Sequence, residues 1–492
     1  MLPKNQDSES ADMEESQTLD VVDINPCLLN IDYACRGSIP SRASQIQKEL
    51  IQGDAKCFKK VVQCNLGDCQ LLGQKPITFG RQILSACAYP ELLNHNIFPS
   101  DVVDRTKLLL KSFNNSIGCY SESSGSEFVR NSVTKYIQKR DGYPADPNNI
   151  FITNGASSAI KMILYSLIKA YDNNIMTGIM VPVPQYPLYS ASLSEFNGKL
   201  IPYYLNEADN WSLSKSEIER AITDGFTFSK PKALVVINPG NPTGQVLSYQ
   251  NMVEIVKFCH KYKLVLLADE VYQHNVYDKD SKFFSFKKVV LDSGFTENTF
   301  TLVSFHSVSK GYYSECGIRG GYMELFGFKP ELRAALIKLV SSNLCSSTSG
   351  QIILESLVNP PVEHDPSFPV FHEEKSAILD ELRQKSELMH SLLGEIIGIK
   401  CNKIQGALYA FPQLFLPQKF IEHSEKESKP PDEYYCMKLL EETGVCVVPG
   451  SGFRQMPGTH HFRITIIPPL EDIKNVLSSI SDFNQKLFKE FS

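Results

Sequence analysis

Short apolar runs alternate with helix-length segments through the middle of the chain, and this alternation restricts the possible folds most strongly. The runs are apolar on both faces, as strands inside a parallel sheet must be. They read GIMVPVP (178–184), KLIPYYL (199–205), ALVVIN (233–238), LVLLADE (264–270) and TLVSF (301–305). We therefore predict an α/β fold with a mainly parallel sheet covered by helices on both sides. Ligands bind such sheets at the carboxyl ends of the strands.

The last third of the chain has a different pattern, typical of a smaller α+β domain. A long helix is predicted over 371–393 and another over 470–488, with strands at 407–411, 445–448 and 462–467. The charged segment 420–433 contains Pro430 and Pro431 and is predicted to be a surface loop. The predicted organisation is an acidic disordered tail (1–25), an arm that joins the small domain (26–75), a large domain (76–345) and a small domain (346–492).

Composition excludes several classes of protein. The net charge of −6 has no basic stripe, so we expect no nucleic-acid partner, and no apolar run is long enough to span a membrane. Thirteen cysteines without a CxxC pair indicate reduced thiols, and no metal site is expected. Residues 1–20 contain six acidic residues and one lysine, whereas a mitochondrial presequence is rich in arginine and poor in acidic residues. This composition predicts a cytoplasmic protein.

Lys310 lies in the segment SFHSVSKGYYSECGIRGG (304–321), directly after an apolar run. Hydroxyl side chains and glycines surround it, and Arg319 follows nine residues later. Such surroundings suit a lysine that forms a Schiff base with a phosphorylated aldehyde cofactor. Ser307 and Arg319 are then placed to bind the phosphate, the arginine in bidentate fashion.

Polar side chains follow two other predicted strands. Asp269 ends LVLLAD and is predicted to keep a pyridine nitrogen of the cofactor protonated; the alternative is a helix cap or a loop aspartate. Asn241, in NPGNPTG, and Tyr272 are candidates to bind the phenolic oxygen of the same ring; the alternatives are an ordinary Asn-Pro turn and a core tyrosine. The order Asn241, Asp269, Lys310 on successive strands is far more specific than any one of them.

Two further sites suit anions. Gly155, Ala156 and Ser157 open an amphipathic helix, whose free amide groups bind phosphate well, although a plain serine cap is the alternative. Arg463 is the one base in the apolar strand FRITII. Because a buried arginine must be paired or offered to an anion, we interpret it as the site of a substrate carboxylate.

Several segments together resemble the alanine aminotransferase family, which belongs to the fold type I pyridoxal-phosphate aminotransferases. They are PQYPLY (184–189), NPGNPTGQV (238–246), LADEVYQ (267–273), the lysine segment, GVCVVPGSGF (444–453) and HFRIT (461–465). YACRG (33–37) and QKPITFGRQ (74–82) favour this family over aspartate and tyrosine relatives. The resemblance begins at about residue 32. It implies a large domain with a mainly parallel seven-stranded sheet, plus a smaller α+β domain.

The resemblance also implies residue roles. Lys310 would be the Schiff-base lysine and the proton carrier, with its amine pKa lowered by its surroundings. Pyridoxal 5′-phosphate would be stacked by Tyr186, and Tyr120 would reach the phosphate of a neighbouring subunit in a homodimer. Arg463 would bind the α-carboxylate. The remaining implied contacts are the cofactor ligands Ala156, Ser157, Asn241, Asp269, Tyr272, Ser307 and Arg319, and the substrate contacts Gly67 and Arg36.

The implied reaction converts L-alanine and 2-oxoglutarate into pyruvate and L-glutamate. Ser158 departs from the family, which usually has an acidic residue in this phosphate-binding turn. Three alternatives stay open: a glutamate–glyoxylate aminotransferase, another enzyme of this cofactor class such as a lyase or synthase, and a non-catalytic protein on the same fold.

Overall fold

The computed structural model describes residues 21–31, 33 and 37–492 of the chain. Residues 1–20 of the predicted acidic tail, and Arg36, therefore lie outside the described residues. Val21–Asp23, at the end of the predicted tail, forms a 3-10 helix. The N-terminal segment continues with helices α1 (Pro26–Leu29) and α2 (Ser38–Gln52) and strand β1 (Val62–Gln63).

The middle of the chain forms a sheet with helices on both faces. Its strands are β2 (Ile150–Thr153), β3 (Thr177–Val183), β4 (Lys199–Tyr204), β5 (Lys230–Ile237), β6 (Val265–Asp269), β7 (Leu302–Ser307) and β8 (Gly321–Phe326). Its helices are α3 (Thr78–Ala88), α4 (Ser100–Ser112), α5 (Glu127–Asp141), α6 (Ala156–Leu167), α7 (Leu188–Glu195), α8 (Lys215–Phe228), α9 (Tyr249–Tyr262), α10 (Phe286–Asp292), α11 (Pro330–Ser341) and α12 (Thr348–Val358).

The seven strands lie in the order β2-β8-β7-β6-β5-β3-β4. All neighbouring pairs from β7 to β4 are parallel, and β8 runs antiparallel to both of its neighbours. The predicted mainly parallel sheet is thus confirmed. The sequence gives no clear strand pattern for β2 and β8, because β2 has only four residues and the polar Glu324 interrupts the apolar run of β8.

Alternate residues of one strand face the two helical layers. In β5, Leu234 and Val236 pack in a core with α8, α9 and α10. Val235 and Ile237 pack in the opposite core with α6, α7 and α11. Since both faces are covered, every position can be apolar, which explains the continuous apolar runs of the sequence.

Serine caps set the starts of the helices on one face. Ser214, Ser248 and Ser285 precede α8, α9 and α10, and each side chain accepts a hydrogen bond from a backbone N–H of the first turn, at 3.0–3.2 Å. These bonds satisfy amide groups that have no partner within the helix. The serines therefore fix the point at which each connection from a strand turns into a helix.

The C-terminal part contains α13 (Phe368–Leu393), β9 (Ile399–Lys400), β10 (Tyr409–Ala410), β11 (Gln413–Leu414), α14 (Gln418–Lys426), α15 (Pro431–Thr443), β12 (Val445–Cys446), β13 (Val448–Pro449), β14 (Phe462–Thr465) and α16 (Leu470–Glu490). Strand β14 pairs antiparallel with β10 on one side and β13 on the other. Strand β1 pairs in parallel with β12, and α2 packs in the same core, so the N-terminal segment joins this part.

The predicted surface loop at 420–433 is wrong. Helix α14 covers its first part, and α15 begins at Pro431. The charged residues lie on the outer face of α14, while Phe420 and Ser424 are fully buried four residues apart. Pro431 occupies the first turn of α15, where a missing N–H costs nothing. A proline pair therefore starts a helix here instead of ending regular structure.

Helix α12 falls within the predicted small domain but packs elsewhere. Its residues Ile352, Ile353 and Leu357 share a core with α3, α4 and α5. This packing associates α12 with the sheet layer. The predicted division of the chain into four segments stays a prediction.

Lys287 and Glu324 form a buried ion pair that holds α10 against β8. Lys287 Nζ lies 2.5 Å from Glu324 Oε1 and donates to Pro144 O at 3.0 Å, and both side chains are at most 4 % exposed. Burial raises the pKa of Glu324, while the Lys287 charge opposes this rise. The Lys287 ammonium therefore favours the ionised form of this carboxyl in the core.

We predict that Lys287→Met lowers the free energy of unfolding by about 3–5 kcal/mol at pH 8, because it leaves the Glu324 charge unpaired in the core. Urea denaturation measures the loss. The loss shrinks as the pH is lowered, because burial raises the pKa of Glu324 and a protonated carboxyl needs no partner charge. The matched control is the double variant Lys287→Met/Glu324→Gln, which should recover part of the loss; equal losses in both variants would contradict the prediction.

Candidate active site

Three neighbouring parallel strands bring the central polar residues together. Ile237, Asp269 and Phe305 are register partners at the carboxyl ends of β5, β6 and β7. Asn241 lies four residues after Ile237 in the chain, and Lys310 lies five residues after Phe305. The structure therefore places Asn241, Asp269 and Lys310 at one edge of the sheet, as predicted.

Lys310 extends into the cavity at this edge and contacts the backbone of the N-terminal segment. Its Nζ donates to Gly67 O at 2.6 Å and lies 5.9 Å from the ring centroid of Tyr272. A Cβ on Gly67 would lie 1.8 Å from Tyr409 Oη and 3.1 Å from Lys310 Nζ. Only glycine lets the backbone approach both groups so closely.

The Lys310 amine has a raised pKa in the protein alone. The predicted lowering concerns the amine that the substrate has displaced from the cofactor, and it stays a prediction. Burial lowers the pKa of Lys310, but interactions with Tyr409, Cys316 and Cys69 outweigh this and raise it. Burial raises the pKa of the Cys69 thiol to about 11 and also raises that of Cys316. The amine is therefore protonated at neutral pH in the protein alone.

Asp269 has one bonded and one unbonded carboxylate oxygen. Tyr189 Oη donates to Oδ2 at 3.0 Å, while the buried Oδ1 has no hydrogen-bond partner within the described part of the chain. Burial raises the pKa of Asp269 to about 6, although the bond from Tyr189 opposes the rise. A buried carboxylate oxygen of this kind suits a cationic N–H group, such as a protonated ring nitrogen.

The start of α6 and the Arg319 side chain form the opposite end of the cavity. Gly155 has a φ of 83°, and a Cβ there would lie 2.6 Å from Arg319 Nη2. Arg319 donates to Asn154 O at 3.1 Å and to Cys316 O at 2.8 Å, which holds its guanidinium beside the helix start. Helix amides and a guanidinium together provide a site for a phosphate dianion.

Serine hydroxyls complete this end of the cavity. Ser157 lies in the first turn of α6, and Ser307 is buried at the end of β7. Ser309 N donates to Ser307 Oγ at 2.9 Å, and Arg319 Nη1 donates to Ser309 Oγ at 3.4 Å. Ser309 was not among the predicted residues, although it lies one position before Lys310.

Arg463 is buried on β14 and approaches the site from the C-terminal part. Its Nη2 donates to Asn65 O at 2.7 Å, and its Nη1 donates to Asn241 Oδ1 at 3.3 Å. The guanidinium carbon also lies 4.1 Å from the ring centroid of Tyr409 and 4.6 Å from that of Phe453. Two aromatic faces and two acceptors thus fix a buried cation beside Asn241.

These groups surround one cavity of about 490 Å³. The predicted residues that line it are Gly67, Ala156, Ser157, Tyr186, Asn241, Asp269, Tyr272, Ser307, Lys310 and Arg319. Arg463 reaches it through its contact with Asn241. Tyr120 does not line it and is 74 % exposed. Arg36 lies outside the described residues, so its predicted role stays a prediction.

Sequence reasoning missed three tyrosines of the site. Tyr409 lines the cavity, Tyr189 bonds Asp269, and Tyr33 Oη lies 3.0 Å from Tyr186 Oη. Tyr189 lies three residues after Tyr186, a helical spacing that could have placed both near one site. Tyr409 stands in an apolar strand and has no sequence signature of its own.

The cavity fits pyridoxal 5′-phosphate at three separated points. The helix start, the serines and Arg319 suit the phosphate, and Lys310 suits the aldehyde carbon. The unbonded Oδ1 of Asp269 suits the ring nitrogen. No group of three or more His, Cys, Asp or Glu side chains suited to a metal occurs among the described residues.

We predict that Asp269→Asn stabilises the cofactor-free protein progressively as pH rises from 4 to 7. The native pKa of about 6 exceeds the value of about 3.9 for an unfolded aspartate, so the folded protein binds the proton more tightly. Wild-type stability therefore falls through this pH range, and the variant avoids a cost of up to about 3 kcal/mol at pH 7. Urea denaturation at several pH values measures the difference; a difference independent of pH would contradict the prediction.

Comparisons with known proteins show the family to which the chain belongs. The family model "Aminotransferase class I and II" matches residues 84–480. Alanine aminotransferase 2 of Xenopus laevis is 47 % identical over 489 residues, covering 99 % of this chain and 90 % of the relative. Alanine aminotransferase 1 of Homo sapiens is 45 % identical over 472 residues, covering 95 % of each chain. Alanine aminotransferase 1, mitochondrial, of Arabidopsis thaliana is 46 % identical over 484 residues, covering 96 % of this chain and 88 % of the relative.

Solved structures show the same fold. An aminotransferase from Escherichia coli superposes with a TM-score of 0.74 at 25 % identity, covering 94 % of this chain and 98 % of the other. An alanine aminotransferase from Pyrococcus furiosus superposes with a TM-score of 0.73 at 23 % identity, covering 94 % of this chain and 100 % of the other. The fold type I architecture predicted from the sequence is confirmed. The chain belongs to the class I and II aminotransferase family and is a pyridoxal-phosphate-dependent enzyme.

Proposed function

We propose that this enzyme transfers the amino group of L-alanine to 2-oxoglutarate, giving pyruvate and L-glutamate. One observation carries the proposal: the Lys310 amine and the Asp269 carboxylate line a single cavity, and the Arg463 guanidinium contacts Asn241 in its wall. This arrangement suits a substrate that has an amino group next to a carboxylate. The substrate pair is supported by full-length relatives named alanine aminotransferase.

Pyridoxal phosphate supplies an electron sink that stabilises negative charge at the substrate α-carbon. We assign Asp269 to hold a proton on the ring nitrogen, since its Oδ1 is buried and available. We assign Asn241 and Tyr272 to the phenolic oxygen and Tyr186 to the ring face. Ala156, Ser157, Ser307 and Arg319 are assigned to the phosphate.

Lys310 is assigned to carry the proton of the reaction. A general base must be unprotonated when it accepts a proton, so the raised pKa of Lys310 in the protein alone must fall when cofactor and substrate bind. A protonated ring nitrogen in the bound cofactor would act in that direction. Gly67 O, which accepts from Nζ at 2.6 Å, holds the amine at the cavity wall.

Arg463 is assigned to the α-carboxylate that every substrate of this reaction has. The side chain is held by Asn65 O and Asn241 Oδ1, so a carboxylate meets a guanidinium of fixed orientation. A planar guanidinium binds a carboxylate through two parallel hydrogen bonds. Arg36, outside the described residues, is our candidate for the second carboxylate of 2-oxoglutarate and glutamate.

We predict that Lys310→Ala lowers kcat for L-alanine by at least about a hundredfold, the usual range for loss of a general acid–base group. The purified enzyme is titrated with L-alanine and then with 2-oxoglutarate while the cofactor absorbance is recorded. Wild type should lose the aldehyde form and then regain it, and Lys310→Ala should do neither at a comparable rate. A variant that keeps the wild-type rate would refute the assignment.

The same titration separates the other reactions. Bleaching by L-alanine without recovery on 2-oxoglutarate would point to a different oxo acid, such as glyoxylate. Release of ammonia would indicate a lyase. A cofactor-loaded protein that no amino acid bleaches would overturn the proposed enzymatic activity.

We further propose a homodimer in which Tyr120 binds the phosphate of the neighbouring subunit. Tyr120 is 74 % exposed and lies outside the lining of the cavity of its own chain, which is consistent with a role in another subunit. Its phenol is an available hydrogen-bond donor for a phosphate oxygen.

Mixed dimers provide the test of this assignment. Tyr120→Ala and Lys310→Ala homodimers should each be impaired. Random subunit exchange should then restore about a quarter of wild-type activity, because half of the dimers contain one intact site out of two. If Tyr120 serves the cavity of its own subunit, mixing restores no activity.

We propose that the enzyme acts in the cytoplasm. The cysteines of the described residues are all free, as in a reducing compartment. No helix in the described ranges is long and apolar enough to cross a bilayer. Since one relative is named as mitochondrial, fractionation of cells that express the tagged chain is the test, and recovery with mitochondria would overturn the proposal.

A further inference from the structure

Tyr409 lies at the junction of the substrate and proton-carrier residues. It begins β10 and pairs with Thr465 of β14, the strand that contains Arg463. The side chain is 3 % exposed and lines the cavity. Its ring lies edge-on to Tyr272, with 6.3 Å between centroids and an interplanar angle of 83°. Packing therefore restrains the ring in a single position.

The ring of Tyr409 supports the Arg463 guanidinium. The guanidinium carbon lies 4.1 Å from its centroid, closer than the 4.6 Å to Phe453. Arg463 is itself 3 % exposed, so this cation–π contact is desolvated and correspondingly strong. Without the ring, the guanidinium would keep its hydrogen bonds to Asn65 O and Asn241 Oδ1 but lose the contact that restrains its plane.

The hydroxyl of Tyr409 and the amine of Lys310 both lie close to Gly67. One point, the position of a Cβ on Gly67, is 1.8 Å from Tyr409 Oη and 3.1 Å from Lys310 Nζ. Both groups therefore crowd the same side of Gly67. Among the groups that raise the pKa of Lys310 against the effect of burial, Tyr409 is the largest. Burial raises the pKa of Tyr272 well above its ordinary value, and the neighbouring Tyr409 adds to this rise.

We propose that Tyr409 is a positioning residue for both halves of the site: its hydroxyl holds the Lys310 amine, and its ring orients Arg463 towards the substrate carboxylate. This inference rests on the proposed transamination. It predicts that the two parts of one side chain affect different kinetic constants.

Tyr409→Phe and Tyr409→Leu separate the hydroxyl from the ring. Tyr409→Phe keeps the contact with Arg463, so we expect kcat to fall roughly tenfold with KM for L-alanine nearly unchanged. Tyr409→Leu also removes the ring, so KM for L-alanine and 2-oxoglutarate should rise by a further factor of roughly ten. The control is Tyr435→Phe, which removes a buried hydroxyl bonded to Asn484 at 2.7 Å in the same part of the fold. It should leave both constants unchanged.

A second readout needs no turnover. In the cofactor-free protein, methylation of Lys310 by formaldehyde and borohydride is followed by mass spectrometry as a function of pH. The midpoint for Lys310 should shift to lower pH in Tyr409→Phe and stay in place in Tyr435→Phe. Thermal unfolding of each variant confirms that it is folded.

The outcomes are distinguishable. Wild-type kcat together with an unshifted midpoint in Tyr409→Phe would overturn the role of the hydroxyl, and equal KM values in the Phe and Leu variants would overturn that of the ring. If the wild-type enzyme does not turn over L-alanine, the proposed function fails, while the methylation midpoint still decides whether Tyr409 acts on Lys310.

Discussion

The site depends on the side-by-side pairing of β5, β6 and β7. Because these strands are parallel, their carboxyl ends meet at one edge, and the register of Ile237, Asp269 and Phe305 sets the spacing of the residues that follow. Antiparallel pairing at this position would send neighbouring strand ends to opposite edges. The antiparallel strand β8 pairs with the other edge of β7, so it does not interrupt the parallel pairing of β5, β6 and β7.

Burial of charged groups in the site costs free energy, and a ligand of complementary charge can offset that cost. Asp269 keeps a carboxylate oxygen unbonded in the interior, and its raised pKa reflects the cost of that placement. Arg463 is buried as a cation between two rings. Preorganised charges of this kind gain most from a ligand of complementary charge, because little water remains to screen them.

The cavity also needs the C-terminal part of the chain. The sheet supplies Lys310 and Asp269, whereas β14 supplies Arg463 and β10 supplies Tyr409. Gly67 comes from the N-terminal segment, which joins the C-terminal part through the β1–β12 pair. Three stretches of chain therefore enclose one cavity, and the proton carrier contacts the backbone of a segment 243 residues away.

Local patterns in the sequence determined five of the seven strands, the alternation of strands with helices, and the strand-end residues Asn241, Asp269 and Lys310. Apolar periodicity and turn residues depend only on neighbours along the chain. Those patterns misjudged 420–433, where buried Phe420 and Ser424 turn a charged segment into a helix. Only the tertiary structure decided that Tyr409 lies between Lys310 and Arg463, and that Tyr189 bonds Asp269 across 80 residues. Such contacts depend on how strands pair and pack, and they cannot be predicted from the neighbours of a residue in the sequence.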